Sequence, residues 1–377
     1  MMKKTFLVAL LFFAISAQAQ ENALLNKVKR LVTKPAAVDS AYIYQPRPSF
    51  SLGVFSTGQR AGFNTEVDFR VDSPDGGSFS GTSNYSLSEN LCKKVGLEVG
   101  YGKVILGYGL EIGPRSASKK TAFGFNFVGK TWGIHINYFK ISNPFTTGLT
   151  IGSEGDEDYF HDEFTSDEHA TLRDLAIDGY YAFNNKRFAY PAAYKIGLVQ
   201  RRTAGSWMLT ARYMQGELFN SPEATWDSYN MLDCFNTLQI SVGGGYSVNF
   251  VLWHKDPADA RDHGLRNLTV NLTATPVITL VNYLKCVSYD SDLDSDQVEE
   301  TRYKVLCYPM PNYIGSAAAS LTLGRFFFST QFTYNWFYFS SRNALDRSQL
   351  IPDYVDGLDF NGNFRDWTLK GLLVYRF

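Results

Sequence analysis

Trp367-Thr368-Leu369-Lys370-Gly371-Leu372-Leu373-Val374-Tyr375-Arg376-Phe377 is the stretch whose reading decides the fold. Trp367, Leu369, Gly371, Leu373, Tyr375 and Phe377 recur with a period of two, which places them on one face of a β-strand. The other face carries Thr368, Lys370 and Arg376, but also Leu372 and Val374, so the alternation is imperfect.

The same period runs through much of the chain. Val67, Phe69 and Val71 alternate with Glu66, Asp68, Arg70 and Asp72, and Val95, Leu97, Val99 and Tyr101 alternate with Gly96, Glu98 and Gly100. Trp132/Ile134/Ile136/Tyr138, Leu175/Ile177/Tyr181/Phe183, Trp207/Leu209/Ala211/Tyr213 and Leu238/Ile240/Val242/Tyr246 continue it. Aromatic residues gather near the ends of these stripes. Two aromatic belts at the membrane interfaces account for that placement, whereas a soluble sandwich gives no reason for it.

Composition agrees. The 377 residues include 29 Phe, 23 Tyr, 6 Trp and 31 Gly, a mix suited to many strands and tight turns rather than to a helical bundle. Lys+Arg 36 against Asp+Glu 37 leaves a net charge of -1, which excludes electrostatic capture of nucleic acid. No apolar run is long enough for a membrane helix, but a transmembrane barrel hides from such a scan because its two faces alternate.

Residues 1–19 read as an export signal: Lys3 and Lys4, an apolar run from Phe6 to Ile15, then Ala17-Gln18-Ala19 before the expected cut. Residues 20–45 form an N-terminal periplasmic segment in which Leu24, Leu25, Val28, Leu31 and Val32 predict a short basic helix ending near Pro35. Residues 46–377 are assigned to the barrel. The expectation is an all-β, antiparallel transmembrane barrel of twelve or fourteen strands, located in a bacterial outer membrane. About fourteen stripes can be counted, yet that count leaves the connection from Ser142 to Ala170 on the periplasmic side while the other long connections fall outside. One strand in the N-terminal half is therefore missed or invented.

Exported barrels commonly finish on an aromatic-terminated strand, and Trp367, Tyr375 and Phe377 resemble the signal read by the insertion machinery. Tyr181-Ala182-Phe183-Asn184-Asn185-Lys186-Arg187-Phe188-Ala189-Tyr190-Pro191-Ala192-Ala193-Tyr194, with Gln200 and Ala204-Gly205-Ser206-Trp207, supplies a second likeness. Together with Asp39-Ser40-Ala41-Tyr42-Ile43 and the Lys94 to Tyr101 strand, it resembles an uncharacterised Bacteroidetes outer-membrane family, the domain of unknown function 4421. The resemblance implies a barrel over almost the whole mature chain and carries over no catalytic residue.

Chemistry is sparse. Of the five histidines only His135 lies on a clear strand, facing inward, and no serine can be set beside it, so a lipid-acting hydrolase is the weaker alternative. The acids from Asp290 to Asp296 lack the Gly and Glu that a calcium loop needs, leaving no metal site and no cofactor. Cys92, Cys234, Cys286 and Cys307 allow disulfides without fixing their pairing. With the apolar stripes toward lipid, Glu66, Asp68, Arg70, Asp178, Lys195, Arg201 and Arg212 are the lumen candidates. Arg187, Phe188 and Tyr190 are bulky enough to constrict the mouth, although a plain hairpin connection is the simpler reading. A two-residue turn at Thr203-Ala204 sets Arg201 opposite Ser206 and Lys195 opposite Arg212, with Asp178 the nearest acid to neutralise them. The functional expectation is a pore or transport-related barrel for small polar solutes, with a structural or partner-binding barrel as the alternative. Its partners would be outer-membrane lipid, lipopolysaccharide and the insertion machinery.

Overall fold

The computed structural model describes residues 37–47, 49–72, 78–88, 92–102, 104–112, 119–142, 146–153, 160–165, 171–219, 234–259, 262–291, 298–307, 310–340 and 355–377. The expected signal peptide and basic helix lie outside these residues. Strands are numbered along the chain: β1 (Ile43–Tyr44), β2 (Phe50–Asp72), β3 (Ser78–Ser88), β4 (Cys92–Tyr101), β5 (Val104–Glu111), β6 (Lys119–Val128), β7 (Trp132–Ser142), β8 (Thr146–Ser153), β9 (Phe160–Thr165), β10 (Thr171–Ala182), β11 (Val199–Gln200), β12 (Ala204–Phe219), β13 (Cys234–Lys255), β14 (Arg266–Ser291), β15 (Val298–Cys307), β16 (Met310–Leu323), β17 (Phe326–Ser340) and β18 (Val355–Arg376).

Twelve of them, β2, β4 to β7, β10, β12 to β14 and β16 to β18, form an antiparallel ring that closes where β18 pairs with β2. The surplus stripes explain the count of fourteen. β3 pairs with the far half of β2 and β15 with the far half of β14, while β8 and β9 extend the β3 edge. These segments rise from the end of the barrel that carries the longer connections, the outer end in barrels of this kind. The Ser142 to Ala170 connection contains β8 and β9 and so belongs outside as well. Among the described residues no helix is long and apolar enough to cross a membrane.

At the inner end the connections are tight. Gly324 adopts a φ of 59° in the turn from β16 to β17, a left-handed conformation that glycine takes without steric cost. Aromatic rings crowd this rim: Phe50 with Phe377 at 5.7 Å, Tyr375 with Phe377 at 5.1 Å, Phe326 with Tyr375 at 5.0 Å and Trp207 with Tyr246 at 5.4 Å. Tyr313 stacks on Trp336 at 5.6 Å nearer the outer end. Ten residues of tilted strand separate Phe326 from Trp336, roughly 25 Å of height, which matches the apolar band of an outer-membrane barrel.

The last strand shows why its alternation is imperfect. Leu369, Leu373 and Phe377 are exposed on the outward face, while Leu372 and Val374 are buried inward against Phe327, with Phe55 and Ile196 beside them. The barrel therefore has a small internal apolar cluster at its inner end, and Ile196 in that cluster belongs to a loop folded into the lumen.

Candidate functional site: a loop folded into the barrel mouth

Residues 183–203, which connect β10 to β12, do not form a hairpin. They turn into the barrel, make a short 3-10 helix at Tyr190–Ala193, and leave as β11. The Thr203-Ala204 turn expected from sequence is thereby corrected: Ser206 lies opposite Ser247, and Arg212 lies opposite Asp178 and Ser241. Lys195 sits on the inner loop and not on a strand beside Arg212. The physical reason is apolar burial. Phe188, Ala189 and Ala193 are fully buried, and Phe188 packs with Tyr180, Ala182 and Met208 inside the mouth.

The loop is stitched to the wall by hydrogen bonds that satisfy its backbone away from water. Asn249 donates to the Ala189 carbonyl at 2.8 Å, Ser329 to the Ala193 carbonyl at 3.0 Å and Gln331 to the Tyr194 carbonyl at 2.7 Å. The Tyr194 hydroxyl donates to Asn271 at 2.7 Å and lies 2.9 Å from the Ser316 hydroxyl. This side of the lumen is a neutral polar surface in which Asn249, Asn271, Ser247 and Thr273 bond to one another along neighbouring strands.

Gln200 is the knot. Its side chain is fully buried, accepts from the Ala189 N–H at 2.9 Å, and donates to the carbonyls of Arg187 at 2.7 Å, Arg202 at 3.0 Å and Tyr42 at 3.2 Å. Tyr42 brings in the N-terminal segment, because β1 pairs with β11, Ile43 opposite Gln200. Ile43 is buried with Ala189 and Ala192. Arg187 lies over the Tyr42 ring at 5.1 Å and pairs with Asp39 at 3.4 Å. Of the expected constriction residues, Phe188 and Tyr190 thus lie inside the mouth, while Arg187 is exposed on its rim and clamps residues 39 to 42.

Arg201, expected in the lumen, is also at the mouth. Its Nε donates to Asp256 at 2.8 Å, and the same carboxylate meets His254 Nε2 at 2.9 Å. The hydrogen bond from His254, then that from Arg201, holds Asp256 below the usual carboxylate range. Tyr44 donates to Asp262, whose other oxygen pairs with Arg376. Burial, followed by that hydrogen bond to Asp262, pushes the Tyr44 hydroxyl up to about 12.

Above the loop lies a charged side of the lumen. Arg212 Nε is 3.3 Å from Asp178 Oδ1, and its guanidinium lies over the Phe337 ring at 4.4 Å. Asp178 is the acid beside Arg212, and Lys195, expected to share it, lies on the inner loop instead. Lys370 pairs with Glu98 across the β2 to β4 side. The Lys195 amine is buried without a hydrogen-bond partner among the described residues. His135 faces Tyr180, rings 6.1 Å apart, and Tyr180, Tyr190 and Tyr194 continue as a file of rings at 4.7 and 5.0 Å. Gly133 makes room for Tyr180, since a Cβ there would come within 2.4 Å of its ring. Glu66, Asp68 and Arg70 fall on the far half of β2, opposite Asn361, Asp359 and Gly357, and their side chains lie outside the described residues. The side chains of the four cysteines also lie outside them.

Sequence reasoning weighed the bulk of residues 187 to 190 but missed Asn249, Asn271, Ser329 and Gln331. Polar residues at alternate positions of strands with an apolar outer face were the available signal.

No curated protein matches the chain. Solved structures that resemble it include the outer membrane protease OmpT from Escherichia coli, 10% identical, covering 92% of this chain and 100% of that one with a TM-score of 0.41. The toluene transporter TodX from P. putida is 7% identical over 85% of this chain and 90% of its own, with a TM-score of 0.20. OccAB4 from Acinetobacter baumannii is 8% identical over 84% and 98%, with a TM-score of 0.13. The model of the domain of unknown function DUF4421 matches residues 37–354, a span that begins at the clamped N-terminal segment and takes in the whole inner loop. The chain belongs to the DUF4421 family.

Proposed function

We propose that this protein is a plugged outer-membrane barrel that binds or displays at its outer end and does not conduct while its inner loop is seated. The observation that carries this reading is the Gln200 side chain, whose amide joins the inner loop, the N-terminal segment and, through Asn249, the barrel wall. An open diffusion pore has no use for a loop whose backbone is hydrogen-bonded to the wall at Ala189, Ala193 and Tyr194. The strands that rise past the membrane at β3, β8, β9 and β15 supply the outer surface for a partner. Single-channel recording on the refolded protein tests the proposal. Wild type should give no steady conductance, and Gln200→Leu should give intermittent openings; steady wild-type conductance would return the reading to an open pore.

A second reading is transport of a small polar solute by displacement of the loop. Lys195 favours it, since its buried amine has no hydrogen-bond partner among the described residues and would hold a passing anionic group. Solute uptake by liposomes that appears only when residues 37–47 are pulled or cleaved away would support that reading over a static plug.

A further inference from the structure

Direct partners across a barrel wall share a face, so the strand register defines what the membrane meets. Ala319, Thr330, Gly371 and Ser56 are successive direct partners on β16, β17, β18 and β2. They form the floor of a trench of about 560 Å³ on the outward face, walled by exposed Phe328 and Leu373. Small residues in a barrel wall usually accommodate a neighbour, but Gly371 does not. A Cβ built there meets nothing within 4 Å, and its φ is not in the left-handed region. Nothing among the described residues therefore requires glycine at this position.

Toward the outer end the same face becomes cationic. Arg60 is the direct partner of Trp367, Arg365 of Trp336, and Lys93 of Gly58. All three cations are exposed, and none is in an ion pair among the described residues. Arg60 lies four residues along β2 from Ser56, about 13 Å of extended strand. An apolar trench in mid-membrane with three exposed cations roughly one headgroup distance above it fits an acyl chain whose anionic head lies in the outer leaflet.

We propose that the β16, β17, β18, β2 and β4 face is a binding site for a phosphorylated, multiply acylated glycolipid of the outer leaflet. An acyl chain lies over Gly371 and Ala319, and phosphate lies against Arg60, Lys93 and Arg365. The site spans the β18 to β2 closure, so the lipid bridges the seam of the barrel.

Native mass spectrometry of the detergent-purified full chain tests this with three probes: diphosphorylated lipid A, its dephosphorylated form and phosphatidylglycerol. Wild type should retain diphosphorylated lipid A at least about tenfold better than either other probe. The triple variant Arg60→Gln/Lys93→Gln/Arg365→Gln should lose that preference, and Gly371→Leu, whose Cβ meets nothing within 4 Å among the described residues, should fill the trench and lower occupancy with all charges intact. Heat-dependent gel mobility confirms that each variant is folded. Equal retention by the triple variant, or equal binding of dephosphorylated lipid A, would overturn the phosphate site. Unchanged occupancy in Gly371→Leu would overturn the acyl trench.

Discussion

The Gln200 side-chain amide donates to the Tyr42 carbonyl at 3.2 Å, joining two residues 158 positions apart in the chain so that the barrel mouth is closed by both at once. Gln200→Ala would leave the Ala189 N–H and three carbonyls without this partner in a buried setting. A loss of about 3 kcal/mol is expected, since each unsatisfied buried group costs ~1–3 kcal/mol and some recover water. Urea unfolding in lipid vesicles measures it, and wild-type stability in the variant would show that the knot is incidental.

Phe188 is fully buried beneath Tyr180 and Met208. Phe188→Ala should cost about 3–5 kcal/mol of the loop's seating and raise proteolysis of residues 183–203 from the periplasmic side. Limited proteolysis on membranes opened to the inner side reads this directly. Cleavage no faster than in wild type would contradict it.

Acid should loosen the mouth. Asp256 is held below the usual carboxylate range by His254 and Arg201, so its contribution is present above pH ~4 and is lost as pH falls through the lowered value. Tyr44 has the opposite sense: its hydroxyl is raised to about 12, so its bond to Asp262 contributes fully below pH ~10 and disappears as pH climbs through about 12. Hydrogen exchange at residues 39 to 44 should therefore accelerate at both extremes. Asp256→Asn should flatten only the acid side.

The Asp178 and Arg212 pair predicts an asymmetric response. Arg212→Leu strips the partner from a carboxylate that is one third exposed, which moderates the usual cost of a broken buried pair to about 1–3 kcal/mol. The double change Asp178→Asn/Arg212→Leu should recover much of that loss. A double variant as weak as the single one would mean that Arg212 acts mainly through its packing on Phe337.

Phe377→Ser should lower the amount of protein reaching the outer membrane while leaving export intact. In the folded chain Phe377 is exposed on the aromatic rim, with its N–H bonded to the Phe50 carbonyl at 3.0 Å. The side chain therefore adds little internal packing. Cell fractionation decides, and normal surface levels would assign the residue to rim packing alone.

Much of the wall was legible because alternation is a local property. Trp207, Leu209 and Leu369 face out as their period requires. The strand count was less legible, because β3 and β15 alternate like barrel strands yet pair only with the far halves of long neighbours. The inner loop was least legible. Tyr190-Pro191-Ala192-Ala193 has no period, and the partners that hold it, Asn249, Asn271 and Ser329, lie 60 to 136 residues away along the chain. The Asp178 and Arg212 pairing was foreseen from charge, although the register that produces it differs from the hairpin expected.

Because β2 follows directly from the clamped N-terminal segment and also closes the ring against β18, the order of assembly is constrained. The inner loop lies midway along the chain, between strands that precede and follow it in the closed ring. Residues 39 to 44 can reach Gln200 and Arg201 only from the inner side, beside the first strand of the closing seam. Most of the pairings that seal the mouth are therefore long-range contacts, which form slowly in an unassisted chain. The apolar side chains of Phe188 and Ile43 are covered only once those pairings are made.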